Sequence, residues 1–311
     1  MSPTASAVPD EFLDDSAERP QARGPRRRTV SEGPAAGHEV LSNPASARIS
    51  RVAGLSRRNN ARAKHRRFLV EGPQGVREAV RQAPGRVLDV YLTEAALERH
   101  SEIWDEAVAA GLYVHVTTQQ VMDAMSPDAQ GVLAVVATEE TAGSEALAAA
   151  LEGARLVAVL TQAQDPGNAG TIIRAADAAG ADAVVLVRGS VDPTAPKVVR
   201  STAGSLFHLP VVTGVALDDA VTALHNAGLT VLAADGRGDF DLFEAESLLE
   251  APSAWLLGNE AHGLPPEALS RADAVVSIPI YGKAESLNVA AAAAVCLYAS
   301  ARAQAQNSGR S

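Results

Sequence analysis

IPIYGKAESLNVA, residues 278–290, reads as a short apolar strand, a loop and the start of a helix. Ile278 and Ile280 are strand-like, while Pro279 and Gly282 stop a helix or a paired strand from running on through them. Ser286 is placed to cap the alanine-rich helix that follows, its hydroxyl accepting from an unpaired first-turn amide, and Asn288 then falls in the first turn. A loop entering a helix in this way presents free amides and small polar side chains to a ligand. Taken alone, the same segment is also an ordinary strand–loop–helix connection, so the stretches before it decide.

Upstream, apolar runs recur at LVAVL 156–160, AVVLV 183–187, LTVLAA 229–234 and AWLL 254–257. Continuous runs of this kind suit strands buried on both faces, as in a parallel sheet. With helical segments between them they predict an α/β domain over 154–303, followed by a short tail, 304–311. After the first of these strands comes TQAQDPGNAGTIIRAADAAG, 161–180. Asp-Pro-Gly-Asn signals a turn, Asn168 is placed to cap the next helix, and Gly170 lets another backbone or a ligand come close. Arg174 stands isolated among Ala, Ile and Thr, and an arginine there needs a partner, either an acid such as Asp177 or Glu260 or a ligand. RSTAGSLFHLP, 200–210, is either tight helix packing or part of a site. LLGNEAHGL, 256–264, is sharper, because Gly258 and Glu260 follow a buried strand at the carboxyl edge of the sheet, where open α/β sheets place ligands. His262 is a weaker candidate for acid–base chemistry. The loop at 161–168 is not GxGxxG, which disfavours a dinucleotide site.

Residues 46–137 read as a smaller α/β domain, with RFLVEG at 67–72 a strand running into a turn, and 138–153 as a partly helical linker. Residues 1–45, rich in Pro, Ser, Ala and Gly, are expected to be disordered. The net charge of −10 argues at first against nucleic acid. Its distribution argues the other way: from Arg48 to Arg67 the chain has no acid, and Arg57, Arg58, Arg62, Lys64, Arg66 and Arg67 make a phosphate-facing surface. The one cysteine, Cys296, allows no intrachain disulfide and fits a reducing compartment. No run is long enough to cross a bilayer, and the N-terminus lacks the layout of a secretory signal. A cytoplasmic protein is expected.

DPGNAGTIIRAA, LLGNEAHGL and IPIYGKAESLNVA, in this order and spacing, resemble the three signature motifs of the SpoU-type RNA ribose 2′-O-methyltransferases of the SPOUT superfamily. RFLVEG and its basic lead-in resemble the small RNA substrate-binding domain of that family, so the likeness covers about 48–303. The resemblance implies S-adenosyl-L-methionine (S-adenosylmethionine) as cofactor, no metal, a parallel sheet ending in a deep trefoil knot, and a homodimer through the C-terminal domain with the site near its interface. Gly258, Ile278 and Leu287 match cofactor-binding positions. Asn168, Arg174, Glu260, Ser286 and Asn288 match the polar catalytic positions, while His262 departs from the more usual Gly or Glu. Arg174 is discussed in the family as the proton acceptor, but a guanidinium stays protonated, and a clamp that stabilises alkoxide charge is the better chemistry. The sizeable upstream domain resembles the ribosomal-RNA members, so large-subunit ribosomal RNA is the expected target. A tRNA 2′-O-methyltransferase, a non-catalytic RNA-binding protein on the same fold, and an enzyme methylating a base stay open as alternatives.

Overall fold

The computed structural model describes residues 39–259 and 263–307. The first domain runs β1 (Val40–Leu41), α1 (Ala47–Arg57), α2 (Asn59–His65), β2 (Arg67–Glu71), α3 (Pro73–Gln82), β3 (Val87–Thr93), α4 (Glu94–Arg99), α5 (Ser101–Ala109), β4 (Val114–Thr117), α6 (Gln119–Met125) and β5 (Val132–Ala137). Its sheet has the order β1-β4-β3-β5-β2, with β5 antiparallel to both β2 and β3. Ile49, Val52 and Leu55 form the buried stripe of α1, as their spacing predicts. Two expectations change. Residues Val40 and Leu41 pair in parallel with Val116 and Thr117, so ordered chain starts inside the segment assigned to a disordered tail, whose residues 1–38 lie outside the described chain. The sequence after Thr93, a good cap, predicts one helix through Ala110 ended by Gly111; Thr93 does cap α4 by accepting the Ala96 amide, but the helix breaks at His100 into two.

The second domain runs α7 (Ser144–Ala150), β6 (Leu156–Leu160), α8 (Pro166–Ala178), β7 (Ala183–Leu186), α9 (Pro196–Thr202), β8 (Val211–Val212), α10 (Leu217–Asn226), β9 (Thr230–Ala234), β10 (Phe240–Asp241), α11 (Glu246–Leu249), β11 (Ser253–Leu257), α12 (Pro266–Arg271), β12 (Ala274–Ser277) and α13 (Val289–Asn307). All the strand pairings are parallel, in the order β10-β12-β9-β11-β6-β7-β8. The strands are apolar throughout because both faces are covered. Ala158 and Leu160 pack with α8 and α13, while Val157 and Val159 pack with α7 and α10. Leu147 and Leu151 sit in that second layer, so the segment read as a linker contributes core to this domain. Trp255 is fully buried and donates its indole N–H to Ser300 Oγ at 2.9 Å, tying the central strand to α13. Cys296 on the same helix is equally covered. The expected tail from residue 304 is instead the last turn of α13, with Gln304 Nε2 donating to the Ala251 carbonyl at 2.9 Å.

The chain lays down β12 late. It leaves β9, forms the edge strand β10, returns for β11 on the far side of β9, and only then places β12 between β9 and β10. The domains meet along 198–208. Gly204 belongs to packing: a Cβ there would lie 2.5 Å from Glu78 Cγ on α3. Phe207 stacks on Phe68, and Arg200 pairs with the buried Glu71 and, at 3.0 Å, with Asp128. His208 joins Asp177 at 2.7 Å and Glu78 at 3.2 Å.

Candidate active site

Loops leaving the carboxyl ends of β9, β11 and β12 enclose a cleft of about 720 Å³. The loop after β12 and the first turn of α13 form one wall, with Ile278, Ser286, Leu287 and Asn288 in the lining. The strand itself is Ala274–Ser277, so Ile278 and Ile280 lie beyond it: they leave the sheet and line the cleft. Residues 280–288 are exposed throughout, and Leu287 keeps 41% of its surface. The cap of α13 is Asn288, whose Oδ1 accepts the Ala290 amide at 2.9 Å, and Ser286 lies two residues before it. A carboxamide at that position keeps Nδ2 free to bond sideways.

It does so to the first motif: Asn288 Nδ2 donates to Asn168 Oδ1 at 3.1 Å. Asn168 is half-buried in the first turn of α8, and the cap of that helix is Asp165, whose Oδ1 accepts the Asn168 amide at 2.8 Å. This amide bond, with the Lys197 ammonium 3.5 Å away, holds the Asp165 carboxyl below the usual range. Gly170 serves the packing of α8 on α9, since a Cβ there would meet Ser201 Cβ at 2.5 Å.

Gly258 forms the floor. A Cβ on it would lie 2.4 Å from the Gly263 carbonyl carbon, because the chain doubles back and Asn259 and Gly263 exchange backbone hydrogen bonds of 2.9 Å. Only glycine fits that crossing. Asn259 Nδ2 donates to the Gln162 carbonyl at 3.0 Å, and Thr161 donates its amide and its hydroxyl to the Leu257 carbonyl at 2.9 Å each. The loops after β6 and β11 are thereby locked together. Glu260 and His262 lie outside the described residues.

Arg174 is exposed on α8, is not in the cleft lining, and has no side-chain partner among the described residues. Asp177, one of its two proposed acid partners, bonds His208 instead. Six helical residues place Arg174 about 9 Å along the axis from Asn168 and ~120° around it. Of the basic run, Arg57, Arg58 and Lys64 are exposed, Arg66 is exposed and pairs with Glu140 at 3.1 Å, and Arg67 is half-buried. Arg62 is buried and pairs with Asp192 at 3.0 Å, so the phosphate-facing role assigned to it gives way to an internal one.

The cleft also takes in Asp235 and Gly236, the first residues after β9, and Glu285. The Asp235 carboxylate is gripped by the Arg237 guanidinium at 2.9 and 3.0 Å, which lowers its pKa. A buried strand ending in Asp-Gly at the carboxyl edge is the signal that would have found them.

Comparison with known proteins adds the family. Residues 155–298 match the SpoU rRNA Methylase family, and residues 69–142 match the family described as RNA 2′-O ribose methyltransferase substrate binding. The chain is 35% identical over 242 residues to the 23S rRNA (guanosine(2553)-2′-O)-methyltransferase RlmP of Bacillus subtilis, covering 76% of this chain and 89% of that protein. It is 33% identical over 271 residues to the 23S rRNA (uridine(2479)-2′-O)-methyltransferase of Streptomyces viridochromogenes, covering 83% and 90%. A crystal structure of the SpoU methyltransferase AviRb from S. viridochromogenes in complex with AdoMet superposes with a TM-score of 0.71 at 30% identity, covering 84% of this chain and all of that one.

Proposed function

The chain belongs to the SpoU rRNA Methylase family, and from that premise we propose that it transfers a methyl group from S-adenosylmethionine to a ribose 2′-hydroxyl of large-subunit ribosomal RNA. One observation carries the reading: Gly258, Ile278, Ser286, Leu287 and Asn288 line a single cleft, and Asn168 bonds Asn288 at its edge. The cleft fits the cofactor. It has apolar walls in Ile278 and Leu287, and a floor at Gly258 that a side chain would fill. Bound there, S-adenosylmethionine supplies an electrophilic methyl on a sulfonium that becomes neutral on transfer. What is left to the protein is the nucleophile.

Asn168 and Asn288 fix one another's carboxamides and orient polar groups at the cleft edge, and Ser286 adds a hydroxyl beside them. Arg174 clamps the ribose or its phosphate and stabilises the alkoxide charge that develops as the hydroxyl proton passes to solvent water. Holding donor and hydroxyl in line contributes roughly 7–11 kcal/mol to lowering the barrier. Within one chain Arg174 and the cleft lie apart, which supports a homodimer through the second domain that brings the arginine to a cleft. Exposed Phe240, Phe243 and Tyr281 offer apolar surface for that contact. The late placement of β12 supports the deep trefoil knot. Arg57, Arg58 and Lys64 hold RNA phosphates. No described helix is long and apolar enough to cross a membrane, and we place the enzyme in the cytoplasm, where its RNA is.

The deciding experiment incubates the protein with an unmodified 23S rRNA transcript and methyl-labelled S-adenosylmethionine. A 2′-O-methylnucleoside in the digest, with the neighbouring phosphodiester resistant to alkali, is the expected product. Label on a base, or none on the RNA, overturns the proposal.

A further inference from the structure

Arg62 differs from the cations around it. Arg57, Arg58 and Lys64 are exposed, whereas Arg62 keeps 7% of its surface. Its Nε and Nη2 donate to Asp192 Oδ2 at 3.3 and 3.0 Å, Nη1 donates to the Leu55 carbonyl at 3.2 Å, and Nη2 also reaches Asn59 Oδ1 at 3.4 Å. Asp192 is equally engaged. Its Oδ1 accepts the Thr194 amide at 2.8 Å and the Thr194 hydroxyl at 2.6 Å. Asp192 is half-buried, but Arg62 is buried, and without Asp192 its guanidinium would be a buried charge short of its acid.

The two partners come from different domains. Arg62 is on α2, a helix of seven residues with no side-chain cap and no acid in its first turn. A helix so short is marginal without tertiary contacts. Asp192 is in the loop after β7, and that loop is stitched to the one after β6. The Val191 amide donates to the Ala163 carbonyl at 2.9 Å, and Gln164 Nε2 donates to the Gly189 carbonyl at 2.7 Å. The next contacts are in the site itself, where Gln162 accepts Asn259 and Asp165 caps the helix of Asn168. A continuous series of contacts therefore runs from the basic helix to the cleft.

We infer that Arg62 is a positioning residue: by gripping Asp192 it sets α2, which carries Lys64 and joins α1 at Arg57 and Arg58, at a fixed orientation to the cleft, so that those cations are held in place for an RNA whose ribose enters the cleft. Arg62 itself touches no phosphate. The inference rests on the functional reading above and adds to it which side chain registers the RNA-holding element on the catalytic domain.

The test uses the full-length protein, an unmodified 23S rRNA transcript and labelled S-adenosylmethionine. Arg62→Ala and Asp192→Asn should each raise the half-saturating RNA concentration about tenfold. Turnover at saturation and the calorimetric affinity for S-adenosylmethionine should stay within about twofold of wild type, which a general loss of folding would not allow. The double variant should be no worse than either single one, since both remove the same contact. Arg62→Lys should recover part of the loss. The salt dependence of RNA binding separates positioning from direct contact: Arg62→Ala leaves the slope unchanged, whereas Arg58→Ala lowers it by about one. A reduced slope in Arg62→Ala, additive single effects, or an unchanged half-saturation with a methylating wild type overturns this inference alone. A wild type that methylates no RNA overturns the functional reading, and this inference with it.

Discussion

The two domains share an α/β layering, yet among the described residues it is the second that brings the motif residues Gly258, Ile278, Ser286, Leu287 and Asn288 into one cleft. In the second domain every strand points the same way, so the loops after β6, β7, β9, β11 and β12 gather along one edge. In the first, β5 runs against β2 and β3, and the loops are divided between two edges. Strand direction, more than composition, decides which sheet collects side chains into a pocket. What the first domain offers instead is surface charge at the junction of α1 and α2, tied to the second domain by the Arg62–Asp192 ion pair.

The largest test of this division is Arg174→Ala. Turnover should fall at least about 10²-fold, the scale of one lost transition-state donor, with calorimetric cofactor affinity nearly intact. A collapse of cofactor binding would make Arg174 a structural residue. Next comes Gly258→Val, whose side chain would occupy the space of the Gly263 backbone. Cofactor affinity should drop more than about tenfold while filter binding of RNA survives, if the domains divide the work as described. Replacing Arg57, Arg58 and Lys64 together by Ala does the converse. RNA half-saturation should rise and the salt slope fall by about three, one for each phosphate contact, with cofactor titration unchanged.

The smaller effects concern how the parts are fastened. Ser300→Ala leaves the buried Trp255 N–H without its acceptor and should cost about 1–3 kcal/mol of stability, read as a lower melting temperature. His208 gives the smallest. Partial burial alone would lower its pKa, but the hydrogen bonds that the protonated ring donates to the Asp177 and Glu78 carboxylates outweigh it and raise the pKa above its ordinary value. A raised folded pKa means stability that is fully present below about pH 6.5 and lost as pH climbs through the folded value. The melting-temperature gap between wild type and His208→Gln should therefore be widest in mild acid and close at alkaline pH. A gap that widens with pH would dismiss this clasp.

Much of this was legible in the residues. Strands β6, β7, β9 and β11 announced themselves because burial on both faces leaves uninterrupted apolar runs. Strands β8 and β10, two residues each, gave no pattern to read. The segment around Ile278 was apolar for the cleft and not for the sheet, which moved the end of β12 in the reading. Both helix caps were misplaced where several capping residues stand close together. Pro166, which favours the first helical position, pointed to Asp165 all along. Arg62 was beyond reach, because charge patterning counts cations and its partner lies 130 residues away.

Cys296 carries a practical consequence. It is the only thiol in the chain, wholly enclosed by α13 and the sheet, and burial pushes its pKa up to about 12. Thiolate is the form that reacts with alkylating reagents, so the native protein stays dark to them at neutral pH. The rate at which a dye attaches then counts how often that last helix lifts away, a built-in stopwatch for opening that requires no engineering.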